Sequence, residues 1–319
     1  MLPKRVVFAA NAVPSSGAGH LRRLIEIAQE MPASIDKVFF GSVEIPWIQE
    51  LMKETFCLAS SCKEPIQSDL TIIDSYDWNF CVLASSKFPA ALKIQIADRY
   101  TALLSDVRLV FMDLPFNYHS KNIEARTIGH GIDYLPKRIF ESNRDSFHEQ
   151  ARNVLITTGG VVNKTIFSQL VSELTKDIYR GINFHFIGET VFFLEAWENF
   201  RFYKFGSKFD SIAGLCDTAI SAAGTTMWDL LANRKIVGLA STVHNQQANF
   251  SFAVNSNLAL PLFDNETQSL DVESLRALFF DQTKRQSLYS LTLGKYDFLG
   301  AKRTSDLILC KYNEVELEI

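Results

Sequence analysis

The sequence predicts an α/β chain made of two successive halves, each a parallel sheet flanked by helices. Three observations carry that expectation. Residues 5–10, Arg-Val-Val-Phe-Ala-Ala, read as a buried strand; a glycine turn follows, and Leu21, Leu24, Ile25, Ala28 and Met31 then recur at helical spacing. The same layout returns at Asn153-Val-Leu-Ile-Thr-Thr158, which leads through Gly159-Gly160 into a helix from Thr165 to Lys176. Between Gly131 and Asn153 the pattern turns polar, with Glu141, Arg144, Asp145, His148, Glu149 and Arg152 and no strand period. That stretch is the expected linker, with a first domain over 1–145 and a second over 146–319.

Composition narrows the class. A chain of 319 residues has room for two domains with their own cores. Hydrophobic content of 47% and charged content of 21% are those of a globular protein. Lys+Arg 32 against Asp+Glu 36 gives a net charge of -4, so no basic signature points to nucleic acid. No apolar run has the length of a membrane span, and residues 1–12 lack the order of a signal peptide, so the expected compartment is the cytoplasm. Cys57, Cys62, Cys81, Cys216 and Cys310 form no CxxC pair and have no histidine at metal-ligand spacing, which reads as reduced, packed thiols and no metal site.

In the first half, strands are expected at 37–41, 70–74, 93–98 and 108–113, with a proline-opened helix from Pro46 to Lys53 and an irregular stretch over 55–69. Asp74, Asp98 and Asp113 each end a strand, at the edge that faces a ligand crevice in an open parallel sheet. Any one of them could equally cap the next loop or helix. In the second half, strands are expected at 183–187, 200–205, 218–221 and 235–240, and helices at 209–215, 227–233 and from His244 onward. The tail from Val272 is helical in pattern.

Two turns carry the chemistry. Gly17 and Gly19 feed a helix whose first turn holds His20, Arg22 and Arg23. The positive end of the helix dipole disfavours imidazolium, so a neutral ring there can accept a proton; cations in that turn need an anion opposite, which a phosphate would supply. The plainer alternative is that His20 caps the helix and the arginines are solvated. Ala222-Ala-Gly224-Thr225-Thr226, directly after the strand that ends at Ser221, forms the second turn, whose N–H groups and hydroxyls can hold a diphosphate, with Asp229 one turn on to accept from ribose hydroxyls. Neither turn is a GxGxxG or a GxxxxGK[ST], so no nicotinamide cofactor or P-loop nucleotide is expected.

These residues carry a family resemblance. Gly17-Ala-Gly-His-Leu-Arg-Arg23 matches the GxGHxxR motif of the nucleotide-sugar hydrolase of pseudaminic acid biosynthesis, the UDP-2,4-diacetamido-2,4,6-trideoxy-β-L-altropyranose hydrolase family. Across residues 5–255 the chain also resembles that family at Ile73-Asp74-Ser75-Tyr76 for its I-D-x-Y, at Asp98, and at Gly131 to Arg138 for its G-x-x-Y-x-x-x-R, which includes Tyr134. Gly159-Gly160, Ile220 to Thr226 and Asn245-Gln246 complete the likeness. It departs from the family at Val161-Val162, Asp98-Arg99 and Asp113-Leu114-Pro115.

The resemblance implies a GT-B-like architecture, two Rossmann-like domains with parallel sheets facing a central cleft, as in the similar peptidoglycan N-acetylglucosaminyltransferase. It implies His20 and Asp98 as catalytic residues and Gly17, Gly19, Arg23, Asp74, Tyr134, Gly159, Gly160, Ser221, Gly224, Thr225, Thr226, Asp229, Asn245 and Gln246 as substrate-binding residues. The expected partner is a UDP-linked sugar, with no cofactor and no metal. The expected reaction is an inverting displacement at C1 by water, with His20 as general base. An acceptor hydroxyl in place of water would make a glycosyltransferase of the same site, and a nucleotide-binding module without chemistry is the third possibility.

Overall fold

The computed structural model describes residues 2–13, 18–58, 66–99, 101–112, 114, 121–140, 147–157, 164–188, 198–204, 206, 208–241, 243–263 and 269–318. The chain divides into two compact units, Met1–Pro136 with Phe298–Ile319, and Lys137–Asp297.

The first unit contains β1 (Arg5–Ala9), α1 (Gly19–Glu30), β2 (Asp36–Phe40), α2 (Pro46–Thr55), β3 (Cys57–Leu58), β4 (Ser68–Ile73), α3 (Trp78–Lys87), β5 (Ala90–Ala97), β6 (Arg108–Phe111), α4 (Lys121–Arg126) and β7 (Thr127–His130). Its seven strands are parallel in the order β3-β2-β1-β4-β5-β6-β7. A parallel sheet is covered on both faces, so its central strands are apolar throughout rather than alternating. Val6, Val7, Phe8 and Ala9 are accordingly all buried. Proline at the first turn of α2 gives up an N–H with no intrahelical partner, and the Asp77 carboxylate caps α3 by accepting from the Phe80 N–H at 3.2 Å. At Gly41 the backbone takes φ +146° just after β2, where a Cβ would lie 1.7 Å from the Ala10 carbonyl oxygen.

The second unit contains β8 (Asn153–Thr157), α5 (Lys164–Leu174), β9 (Asn183–Ile187), β10 (Phe200–Tyr203), α6 (Phe209–Leu215), β11 (Thr218–Ala222), α7 (Thr225–Ala232), β12 (Ile236–Ala240), α8 (Gln247–Asn255), β13 (Ala259–Phe263), α9 (Val272–Phe280) and α10 (Gln282–Leu291). Its six strands are parallel in the order β10-β9-β8-β11-β12-β13. Phe184, Phe186, Phe200, Phe263 and Phe279 build the core with the apolar faces of α5 and α9. Buried Arg285 stitches this unit together: its guanidinium donates to Thr218 Oγ1 (2.9 Å), Asp217 Oδ1 (3.1 Å) and the carbonyls of Leu278 (2.6 Å) and His148 (3.1 Å).

The domain limits differ from the sequence expectation in two ways. The changeover falls between Pro136 and Lys137 rather than at 145, because Arg138 and Phe140 already bond to α7 of the second unit: the Arg138 N–H donates to Asp229 Oδ1 (2.8 Å) and the Phe140 N–H to Asn233 Oδ1 (2.9 Å). The C-terminal helix, α11 (Gly300–Glu318), belongs to the first unit, not the second. It lies against α1, β5 and the 3-10 turn at Ile132–Tyr134, burying Thr304, Ser305, Ile308 and Tyr312. Thr304 Oγ1 donates to the Tyr134 carbonyl at 2.8 Å, and a Cβ at Gly300 would lie 2.1 Å from the Leu135 carbonyl oxygen.

Candidate active site

In the first sheet the chain winds outward from β1 to β2 and β3, then resumes on the other side of β1 with β4. The reversal leaves the carboxyl ends of β1 and β4 adjacent, the place where doubly wound sheets bind ligands. The chain leaving β1 enters α1, which begins one residue before His20; the chain leaving β4 places Asp74 there, its N–H still donating to the Ala9 carbonyl at 2.9 Å.

His20 and Asp74, 54 positions apart in sequence, meet at this edge. The imidazole Nδ1–H donates to Asp74 Oδ1 at 2.5 Å. Arg23, one turn along α1, clamps the same carboxylate with two bonds, Nε to Oδ2 at 2.9 Å and Nη2 to Oδ1 at 2.8 Å. Arg23 Nη2 also lies 2.9 Å from His20 Nδ1, but both nitrogens carry hydrogens, so the carboxylate that accepts from both is what unites the three. Burial alone would raise the Asp74 carboxyl; Arg23 and His20 outweigh it and hold the group below the ordinary carboxylate range. Burial opposes the Arg23 charge too, yet Asp74 keeps the guanidinium firmly protonated. With Nδ1 committed, Nε2 is the nitrogen with a free lone pair, and the imidazole side chain keeps 8% exposure against 1% for Asp74.

This geometry replaces two sequence expectations. His20 makes no side-chain cap on α1. The first-turn arginines find their anions within the unit: Arg23 on Asp74, and Arg22 on Glu26 one turn away at 2.8 Å. No phosphate is needed to explain either.

Asp98, expected beside His20 in catalysis, is placed one strand further out, after β5. Its Oδ2 accepts from the Tyr76 hydroxyl and its Oδ1 from Thr101 Oγ1 at 3.1 Å. The link to His20 runs through Tyr76, whose ring meets the imidazole edge to face, centroids 4.6 Å apart at 86°. Burial and the Asp98 charge push the Tyr76 phenol up, so it stays a hydrogen-bond donor. Gly19 opens α1; Gly17, Gly159, Gly160 and Asp113 lie outside the described residues. Tyr134 is not part of this cluster. It sits after β7, the far edge strand, where its ring covers Gly129 and its carbonyl receives α11.

The second sheet reverses direction at β8 and β11, and α7 starts directly beyond β11. Gly224 is the extended residue before α7, and Thr225 and Thr226 form its first turn, partly exposed. Gln246 approaches this start, its Nε2 4.0 Å from where a Gly224 Cβ would be; Asn245 lies in the same 3-10 turn, His244–Gln246. Ser221 and Asp229 differ from expectation. The Ser221 hydroxyl is buried and donates to the Ala222 carbonyl at 3.0 Å. Asp229 is 1% exposed and accepts from the Arg138 N–H and guanidinium (2.8 and 3.1 Å), so its carboxylate is turned into the unit rather than out toward a ribose. Thr157, at the end of β8 and paired in register with Ser221, was not singled out by sequence; its buried Oγ1 has no partner among the described residues.

No family model matches the sequence, and no curated protein does. Solved structures are similar over almost the whole chain. They include MurG of Acinetobacter baumannii (14% identity, 96% of this chain and 99% of that one, TM-score 0.63) and the glycotransferase of kitacinnamycin (12% identity, 99% of both chains, TM-score 0.63). MnaA of S. aureus in complex with UDP is similar at 10% identity over 97% of both chains, with a TM-score of 0.64. The fold they share with this chain is GT-B: two Rossmann-like units, each a parallel sheet with helices on its faces.

Proposed function

We propose that this protein is a nucleotide-sugar-processing enzyme: a metal-independent inverting hydrolase that cleaves the anomeric C1–O bond of a UDP-sugar of the pseudaminic-acid type. The observation that carries this reading is the His20–Asp74–Arg23 group at the strand reversal of the first sheet. Asp74, held ionised by Arg23, fixes the tautomer that leaves His20 Nε2 able to take a proton. A water O–H gives its proton to Nε2 while the oxygen bonds to C1. The C1–O bond breaks, its electron pair stays with the departing diphosphate, and Asp74 stabilises the imidazolium. One displacement inverts C1. By sequence, diphosphate binding falls to Gly224, Thr225 and Thr226 at the start of α7, with Asn245 and Gln246 nearby in the chain.

Several of the similar structures are glycosyltransferases, which favours a second reading, a glycosyltransferase in which an acceptor hydroxyl takes the place of water. Incubation with the UDP-sugar alone separates the two: stoichiometric free sugar supports the hydrolase, and turnover only with an added acceptor supports the transferase. UDP raising the melting temperature more than GDP, CMP or dTDP supports the donor class; no rise with UDP overturns it.

A further inference from the structure

The bond to Asp74 fixes one nitrogen of His20, and the tilt of the buried ring about that contact is set by what packs against it. Tyr76 stands against the imidazole at 86° and is one of the groups that set this tilt. Tyr76 is itself 41% exposed, and a half-exposed ring has few packing neighbours to hold it. What anchors it is its hydroxyl, which donates to Asp98. Asp98 in turn is set by Thr101, whose hydroxyl donates to Oδ1 at 3.1 Å and accepts from the Asp98 N–H at 2.9 Å. The chain from β5 to the imidazole is continuous, Thr101 to Asp98 to Tyr76 to His20.

We infer that Asp98 is a positioning residue for the His20 base, acting through the Tyr76 hydroxyl rather than on the substrate. The inference rests on the proposed role of His20 and assigns Asp98 a task different from that of a second catalytic carboxylate. Because the Tyr76 phenol remains protonated, what Asp98 supplies is an acceptor oxygen, and its negative charge is secondary. Asparagine keeps such an oxygen; alanine does not.

The test uses the full chain and four variants: Tyr76→Phe, Asp98→Ala, Asp98→Asn and Tyr76→Phe combined with Asp98→Ala. Turnover of the UDP-sugar should fall about 10- to 100-fold in Tyr76→Phe and Asp98→Ala, with KM nearly constant, since a misplaced base slows the chemical step more than binding. Asp98→Asn should recover most of that loss. The double variant should be no slower than either single one, because both remove the same link. A further tenfold loss in the double variant, or an Asp98→Asn as slow as Asp98→Ala, overturns the inference by giving Asp98 a role of its own at the substrate.

A second measurement needs no turnover. In the ligand-free protein, the carbon-bound ring protons of His20, assigned by their absence in His20→Asn, should shift alike in Tyr76→Phe and Asp98→Ala. A His20 signal unmoved in Asp98→Ala refutes the positioning chain. A signal that moves as expected in a protein that turns over no UDP-sugar leaves the chain standing and removes the hydrolase reading instead.

Discussion

Asp74 meets three demands at once: it orients His20, neutralises Arg23 and is itself almost fully buried. Replacing it with asparagine keeps the shape but lets the amide donate to Nδ1, which turns the lone pair away from Nε2; turnover should drop by about 10²–10⁴-fold, as it should in His20→Ala. Steady-state rates at saturating substrate check both. The lowered carboxyl also makes a prediction about stability. Between its native value and the ordinary carboxylate range the unfolded chain binds more protons, so stability rises with pH through that window. The contribution is complete above the ordinary range and is lost as pH falls through the native value. Asp74→Asn should therefore flatten the acid limb of a stability-versus-pH curve; an unchanged limb would contradict the assignment. His20 and Arg23 stood out in sequence because their helix-start positions are electrostatically unusual. Asp74 as their common partner did not, since a carboxylate after a strand looks the same whether it faces a ligand or a neighbouring helix.

Local pattern is enough to place most elements. The strand–turn–helix units at 5–30 and 153–174 have clear apolar periods, and the helices at Pro46 and Phe209 begin where proline and helical spacing say they should. α3 was missed because it is apolar on both sides: Phe80, Cys81 and Ala84 are buried while Trp78, Val82 and Leu83 are exposed, so it shows no helical stripe. β7 and β13 were missed as short edge strands. At this scale α11 is sensitive at its first residue. A methyl at Gly300 would press on the Leu135 carbonyl, a backbone atom that cannot swing aside, so Gly300→Ala should destabilise by about 1–3 kcal/mol. In the second unit, Arg285→Leu leaves the partly buried Asp217 without its guanidinium and should cost about 3–5 kcal/mol. Urea titrations of the two variants read these losses directly.

Across the whole molecule, two windings of the same parallel-sheet plan are joined at Pro136–Lys137, and the chain's last helix returns to the first of them. That return was invisible in sequence, because a surface helix carries no mark of which sheet it will cover. It has a consequence for dissection: residues 137–297 should fold alone, whereas a chain ending at 297 should keep a stable second unit and lose the first, a loss visible as one calorimetric transition where the full chain shows two. The most direct test of the account as a whole is turnover of the UDP-sugar in ¹⁸O-labelled water, with the released sugar read by mass and by the configuration at C1. Label on C1, an inverted anomer, unlabelled UDP and loss of the reaction in His20→Ala are expected. Label on the phosphate, retention at C1, or a His20→Ala variant as fast as the parent would contradict the proposed displacement.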